Sequence, residues 1–135
     1  MLTASNCYNY NINMDFDYLV VEASHILDVV ENYQWELGRL SNIVVETHGY
    51  KALEDFSSQI EKTGGVRRSA GTLRMYAYIW KVSTQLELPK DILFSACQAI
   101  VFSDNPTKYA EMAREGSSGV DIKKQIYKDK YASQD

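Results

Sequence analysis

Hydrophobic residues between positions 15 and 47 recur at steps of three and four, a spacing that places them on one stripe of a helix. The stripe consists of Phe16, Leu19, Val20, Ala23, Ile26, Leu27, Val30, Leu37, Leu40 and Val44. Asp15 and Asp17 favour a helix start, because carboxylates cap the first turn and complement its dipole. Gly49 favours the helix end. The pattern predicts one helix of about 33 residues, some 50 Å long, or two helices hinged near residues 32–34.

A single helix over residues 15–47 is longer than a compact domain of this size needs. Its surplus apolar stripe would then require a partner chain, so we expect a homodimer. The predicted dimer interface consists of Leu19, Ala23, Ile26, Val30 and Leu37.

Shorter helical segments follow, and turn residues separate them. An amphipathic pattern predicts a helix over residues 51–62, which the sequence Thr-Gly-Gly ends. Ser69 suits the N-cap of a helix over about residues 70–85. The buried face of that helix is predicted to hold Leu73, Tyr76, Ala77 and Trp80.

The remaining elements are predicted from an apolar run and from capping residues. The run ILFSACQAIVF is apolar nearly all round, which indicates a central core helix that starts near Pro89 and ends at about Phe102. Asn105 followed by proline is typical of a helix start, and Gly116 would end that short helix. Ser118 is predicted to cap the last helix.

We therefore predict an all-α fold of five to six helices, with a single domain over residues 15–128. Within it, residues 15–47 form one long N-terminal helix or a hinged pair and serve dimerisation. Residues 51–128 form a helix-turn-helix-like bundle. Residues 1–14 are predicted as a flexible leader, and residues 129–135 as a frayed tail.

Charge divides unevenly along the chain, whose net charge is −4. Residues 1–61 hold two basic and ten acidic residues, a net charge of −8. Residues 62–135 hold twelve basic and eight acidic residues, a net charge of +4. Such asymmetry indicates separate partner surfaces or, alternatively, a chance distribution over solvated helix faces.

Motifs for catalysis, metal binding and membrane insertion are missing from the sequence. The glycines lack the spacing of phosphate-binding loops, and there is no GxSxG, CxxC or HxxxH motif. The N-terminus lacks the features of a secretory signal, and no apolar run approaches the roughly 20 residues that span a bilayer. We expect no enzyme activity, no cofactor, no metal, a cytoplasmic location (a host cytoplasm if the chain is phage-encoded), and Cys7 and Cys97 as thiols.

A short helix, a glycine turn and a Ser69-capped helix follow one another in the order of a helix-turn-helix. Arg74, Tyr78 and Lys81 would share the exposed face of the second helix. The predicted contacts to double-stranded DNA are Arg67, Arg68, Ser69, Thr72, Arg74, Tyr78 and Lys81. A structural hairpin with a solvated basic face is the alternative, and TGGVRR is longer than the usual turn of three to four residues.

From Phe56 to Ile126 the chain presents a glycine turn, TLRMYAYIWKVS, LPKDILFSACQAI, an Asp-Asn-Pro turn and EGSSGVDIKKQI. This order resembles the helical DNA-binding region of ParB/KorB-type partition and regulatory proteins. WELGRL and GTLRMYAYI also resemble small phage- and plasmid-borne proteins. TGGVRR replaces the family's Gly-Lys-Ser turn, its nucleotide-binding GERR-type segment is absent, and the N-terminal half has no counterpart. The resemblance implies a helical, DNA-associated fold and does not support a CTP-dependent clamp.

Three functional hypotheses follow. The first is a small DNA-binding regulator of phage or plasmid type. The second is an acidic inhibitor or adaptor, acting as a DNA mimic on a host protein such as a nucleic-acid enzyme or defence complex, through Glu31, Glu36 and Glu46. The third is a structural helical module that acts as a component of an assembly.

Overall fold

A computed structural model describes residues 15–66 and 68–132, and it contains helices and turns but no strand within those ranges. Its helices are α1 (Phe16–His48), α2 (Ala52–Lys62), α3 (Ala70–Gln85), α4 (Phe94–Val101), α5 (Pro106–Arg114) and α6 (Gly119–Ala132). The all-α prediction is confirmed, with six helices in the described residues. The helix-turn-helix assignment within that class stays a prediction. No helix in those ranges is long and apolar enough to cross a bilayer.

The N-terminal periodic segment forms one helix, α1, rather than two. Its end is set by Gly49, whose φ of +86° lies in the left-handed region that favours glycine. The Gly49 N–H still donates to the Val45 carbonyl at 2.8 Å. The chain divides into two compact units, one ending at Asn32 and one beginning at Tyr33.

Local capping chemistry starts three of the later helices as the sequence predicts. Ser69, Asn105 and Ser118 each accept a hydrogen bond from the backbone N–H three residues later, at 3.1, 3.3 and 3.1 Å. Pro106 occupies the first helical position of α5, where no N–H is needed. Gly116, with φ of +102°, follows the end of the same helix.

The predicted start of the core helix near Pro89 is wrong, because α4 begins at Phe94. Glu87 adopts a left-handed φ of +55°, and the chain then makes a further turn over residues 90–92 before it enters the helix. Leu93, in an extended conformation, is the residue that precedes α4. Proline therefore lies within the connection rather than within the first turn of the helix.

The structure describes part of the predicted C-terminal tail but none of the predicted N-terminal leader. The predicted leader, residues 1–14, and residues 133–135 lie outside the described part of the chain. Residues 129–132, assigned to the tail from sequence, belong to α6.

The core is centred on α4, which contacts α3, α5 and α6. Its buried side chains include Phe94, Ala96, Cys97 and Ile100, all at 1% exposure or less. The Phe94 ring meets two other aromatic rings edge to face, those of Trp35 at 5.2 Å and Tyr76 at 5.3 Å between centroids. The prediction that this segment is the central core helix is confirmed.

α1 and α3 approach each other closely at Gly38. A Cβ placed on this glycine would lie 2.7 Å from the backbone carbonyl oxygen of Tyr76 and 3.1 Å from the Cβ of Trp80. Only a residue without a side chain fits there without displacing a neighbouring helix backbone. This contact positions α3, the helix that carries most of the predicted DNA-contacting residues.

Candidate nucleic-acid interface

The outer face of α3 is basic and carries no acidic residue. Arg74, Tyr78 and Lys81 are all exposed, as the sequence predicts. Their spacing of four and three residues places them along one side of the helix. The sequence of α3, AGTLRMYAYIWKVSTQ, contains no Asp or Glu. The helix therefore presents positive charge without a carboxylate of its own to neutralise it.

The N-terminus of α3 is closed by an internal pair of hydrogen bonds. The Ser69 hydroxyl accepts from the Thr72 backbone N–H at 3.1 Å and lies 3.0 Å from the Thr72 hydroxyl, to which it is hydrogen-bonded. This pairing holds both predicted contact residues in place. It also occupies a backbone donor that would otherwise be available to a phosphate oxygen.

Arg74 is held over an aromatic ring. Its guanidinium carbon lies 4.5 Å from the centroid of the Tyr50 ring, and both residues are exposed. Stacking of this kind uses the flat face of the guanidinium, while its five N–H donors lie in the plane of the group. The arrangement restricts the side chain and is compatible with hydrogen bonds from its edge.

Arg68 has a second arginine–tyrosine contact, with its guanidinium carbon 5.5 Å from the Tyr33 ring centroid. Its backbone carbonyl accepts a hydrogen bond from the buried hydroxyl of Ser57. Both contacts fix the half-buried Arg68 at the entrance to α3. Arg67, the other predicted contact in this turn, lies outside the described residues.

Tyr78 stacks on Phe102, which follows the last residue of α4. The two ring centroids are 5.7 Å apart and the ring planes are inclined by 26°. Both side chains stay largely exposed, at 44% and 55%. The pair links the basic face of α3 to the end of the core helix.

Sequence reasoning missed the aromatic partners Tyr33, Tyr50 and Phe102. The chain has ten tyrosines, so composition alone does not indicate which of them meets an arginine. The pairs join residues 24 to 35 positions apart, and their formation depends on how the helices pack.

A second polar cluster joins α5 to α6 around Asp129. Its carboxylate accepts hydrogen bonds from Lys108 at 2.8 Å, from the Tyr109 hydroxyl, and from Gln125 at 2.9 Å. These three donors, Lys108 foremost, lower the pKa of Asp129 to about 2. The hydrogen bond between the Tyr109 hydroxyl and Asp129, together with burial, raises the pKa of Tyr109 to about 12. The cluster borders an open groove of about 460 Å³.

This cluster predicts a specific acid dependence of stability. Because folding lowers the pKa of Asp129 from 3.8 to about 2, its contribution is fully present above pH 3.8 and is lost as pH falls through 2. We expect Asp129→Asn to be less stable than the wild type at neutral pH, with the difference shrinking between about pH 4 and pH 2. Urea denaturation at a series of pH values measures it. Asp91→Asn, in an exposed turn, is the control, and its free energy of unfolding should stay close to that of the wild type. A difference between Asp129→Asn and the wild type that stays constant with pH would contradict the prediction.

The predicted acidic surface is partly engaged within α1. The Glu36 carboxylate pairs with Arg39 at 2.8 Å, and this hydrogen bond and the adjacent positive charge lower the pKa of Glu36. Glu46 is exposed, and Glu31 is half-buried. Glu36 therefore already has a basic partner on its own helix.

The predicted dimer residues differ in their exposure. Leu19, Ala23, Ile26 and Val30 are exposed, whereas Leu37 is half-buried. Four of the five side chains are therefore accessible in a single copy.

Within residues 15–66 and 68–132 there is no group of three or more His, Cys, Asp or Glu side chains that could hold a metal ion. No family model, curated protein or solved structure matches the chain.

Proposed function

We propose that this chain is a small DNA-binding regulatory protein that contacts double-stranded DNA through the exposed face of α3. The observation that carries the proposal is the basic stripe of Arg74, Tyr78 and Lys81 on a helix that contains no carboxylate. In a chain with a net charge of −4, this face keeps its positive charge.

The diameter of a helix such as α3 suits a DNA groove. An α-helix with its side chains is about 10–12 Å across. The major groove of B-DNA is about 12 Å wide and admits one α-helix. Lysine and arginine contacts to phosphates release condensed counterions, which supplies much of the free energy of binding. The contact between Arg74 and Tyr50 lowers the entropic cost of ordering the arginine.

Fluorescence anisotropy with a labelled generic duplex, measured across a salt series, tests the proposal. We expect the wild type to bind, with an affinity that falls steeply as salt rises. The double variant R74E/K81E should bind on the order of 100-fold more weakly, because two charge-assisted contacts are lost and two repulsive charges are added.

Lys90→Glu provides the control for charge reversal, because Lys90 is exposed in the connection between α3 and α4 and its replacement makes the same change of charge as each single substitution of the double variant. Its affinity should stay close to that of the wild type. Circular dichroism checks that each variant keeps its helices. If R74E/K81E bound DNA as tightly as the wild type, the proposal would be wrong.

A second candidate function is the acidic adaptor. One observation favours it: between Asp15 and Glu31 the chain has five carboxylates and no lysine or arginine. The adaptor predicts no DNA binding at any salt concentration. It also predicts a stable complex with a basic protein that is lost when Glu31, Glu36 and Glu46 are changed to glutamine.

A further inference from the structure

The stretch of α1 from Phe16 to Val30 exposes a large amount of apolar surface. Nine large apolar side chains here are between 47% and 76% exposed. Tyr18, Val21 and Val29 lie on one side of the helix, and the other six lie together on the other side: Phe16, Leu19, Val20, Ile26, Leu27 and Val30. Scattered single hydrophobic residues are ordinary on protein surfaces, but a contiguous patch marks an interaction site.

The six side chains form one continuous face. At about 100° per residue, they and Ala23 fall within an arc of about 120° on the helix surface. Asp17, Glu22, Asp28 and Glu31 all lie outside that arc. We call the seven residues the apolar arc. Its residues are uncharged, while the carboxylates occupy the flanks of the helix.

We infer that the apolar arc packs against the same arc of a second copy of this chain. Two copies can meet along it without burying a charge. Burial of a charge would otherwise oppose the pairing of two acidic helices. Ala23, at the middle of the arc, allows the two backbones to approach to the 8–10 Å that packed helices adopt. The carboxylates on the flanks remain in water and keep the assembly soluble.

The amount of surface agrees with what a stable dimer needs. Six large side chains that are about half exposed or more hold on the order of 400–500 Å² of apolar surface. A standard interface buries about 800 Å² on each partner, of which about 60% is apolar. A heterologous basic partner would be attracted to the flanking carboxylates rather than to the uncharged arc.

Sedimentation equilibrium of the full chain at micromolar concentrations tests the inference. The wild type should sediment at twice the monomer mass of 15.4 kDa. Ile26→Glu places a charge inside the arc and should sediment as a monomer. Val21→Glu makes a similar change on the same helix, at 64% exposure against 60% for Ile26, but on the opposite side. It should remain dimeric.

Circular dichroism should show equal helix content in both variants, because each replaced side chain is exposed. A monomeric wild type would overturn the inference, and so would dissociation of Val21→Glu to the same extent as Ile26→Glu. The result is independent of DNA binding, because α3 is unchanged in both variants.

Discussion

Replacing Phe94 with alanine is expected to lower the free energy of unfolding by about 3–5 kcal/mol. Whole domains are stable by only about 5–15 kcal/mol, so this single change would remove a large share of the total. We expect the variant to be partly unfolded at moderate temperature.

The magnitude follows from the position of Phe94 at the centre of the core. Its side chain is 1% exposed, so alanine would leave a cavity where the ring now lies. The edge-to-face contacts with Trp35 and Tyr76 would be lost as well, each worth about 0.5–1.5 kcal/mol beyond the buried area. These rings belong to α1 and α3, so the change loosens three helices together.

Urea denaturation followed by circular dichroism measures the effect. Phe102→Ala is the matched control, because the same atoms are removed from a side chain that is 55% exposed and makes one stacking contact, with Tyr78. It should cost about 1 kcal/mol. Equal losses for the two variants would show that α4 does not organise the core as described.

Gly38→Ala is expected to destabilise the protein by about 1–2 kcal/mol, although alanine is the better helix former. Helix propensity alone would favour alanine by about 1 kcal/mol. The new Cβ would lie 2.7 Å from the Tyr76 carbonyl oxygen, however, and a backbone atom of another helix cannot rotate away. Overpacking of this kind costs about 1–3 kcal/mol or more, so we expect it to outweigh the gain in propensity.

Gly71→Ala tests the same substitution where there is space. Among the residues that the structure describes, a Cβ on Gly71 in α3 would come within 4 Å of the Ser69 hydroxyl oxygen alone, at 3.9 Å. Alanine there should leave stability unchanged or raise it by up to about 1 kcal/mol. Thermal denaturation should therefore show a lower melting temperature for Gly38→Ala and an unchanged or higher one for Gly71→Ala. Stabilisation of both would contradict the close approach of α1 and α3.

The helix starts that the sequence predicted well are those fixed by chemistry within a few residues. Ser69, Asn105 and Ser118 each bond to an N–H three positions away, so the local sequence carries the whole signal. Gly49 and Gly116 similarly follow helix ends with a positive φ. Neighbouring residues are sufficient to specify such features.

Features that depend on packing were not predictable in the same way. Glu87 turns the chain with a positive φ, which glutamate rarely adopts and which the sequence therefore does not indicate. For this reason the start of α4 was placed too early. Ile79 is fully buried but was omitted from the predicted face of α3. A helix that packs against both α2 and α4 buries a wider face than a single stripe indicates.

The candidate interface also combines features that local sequence predicts with features that depend on packing. The spacing of Arg74, Tyr78 and Lys81 was enough to predict their shared exposure, because helical geometry is local. The contact of Arg74 with Tyr50 required knowledge of where α3 lies beside the α1–α2 turn. No pattern within either segment indicates it.

Cys97 gives the core a chemical reporter of its opening. Its side chain has no exposed surface, and thiol reagents react with thiolate that reaches solvent. Labelling of this residue therefore requires α4 to separate from the helices around it. The rate of modification then measures the population of that opened state. It therefore distinguishes fraying at the surface from opening of the whole core.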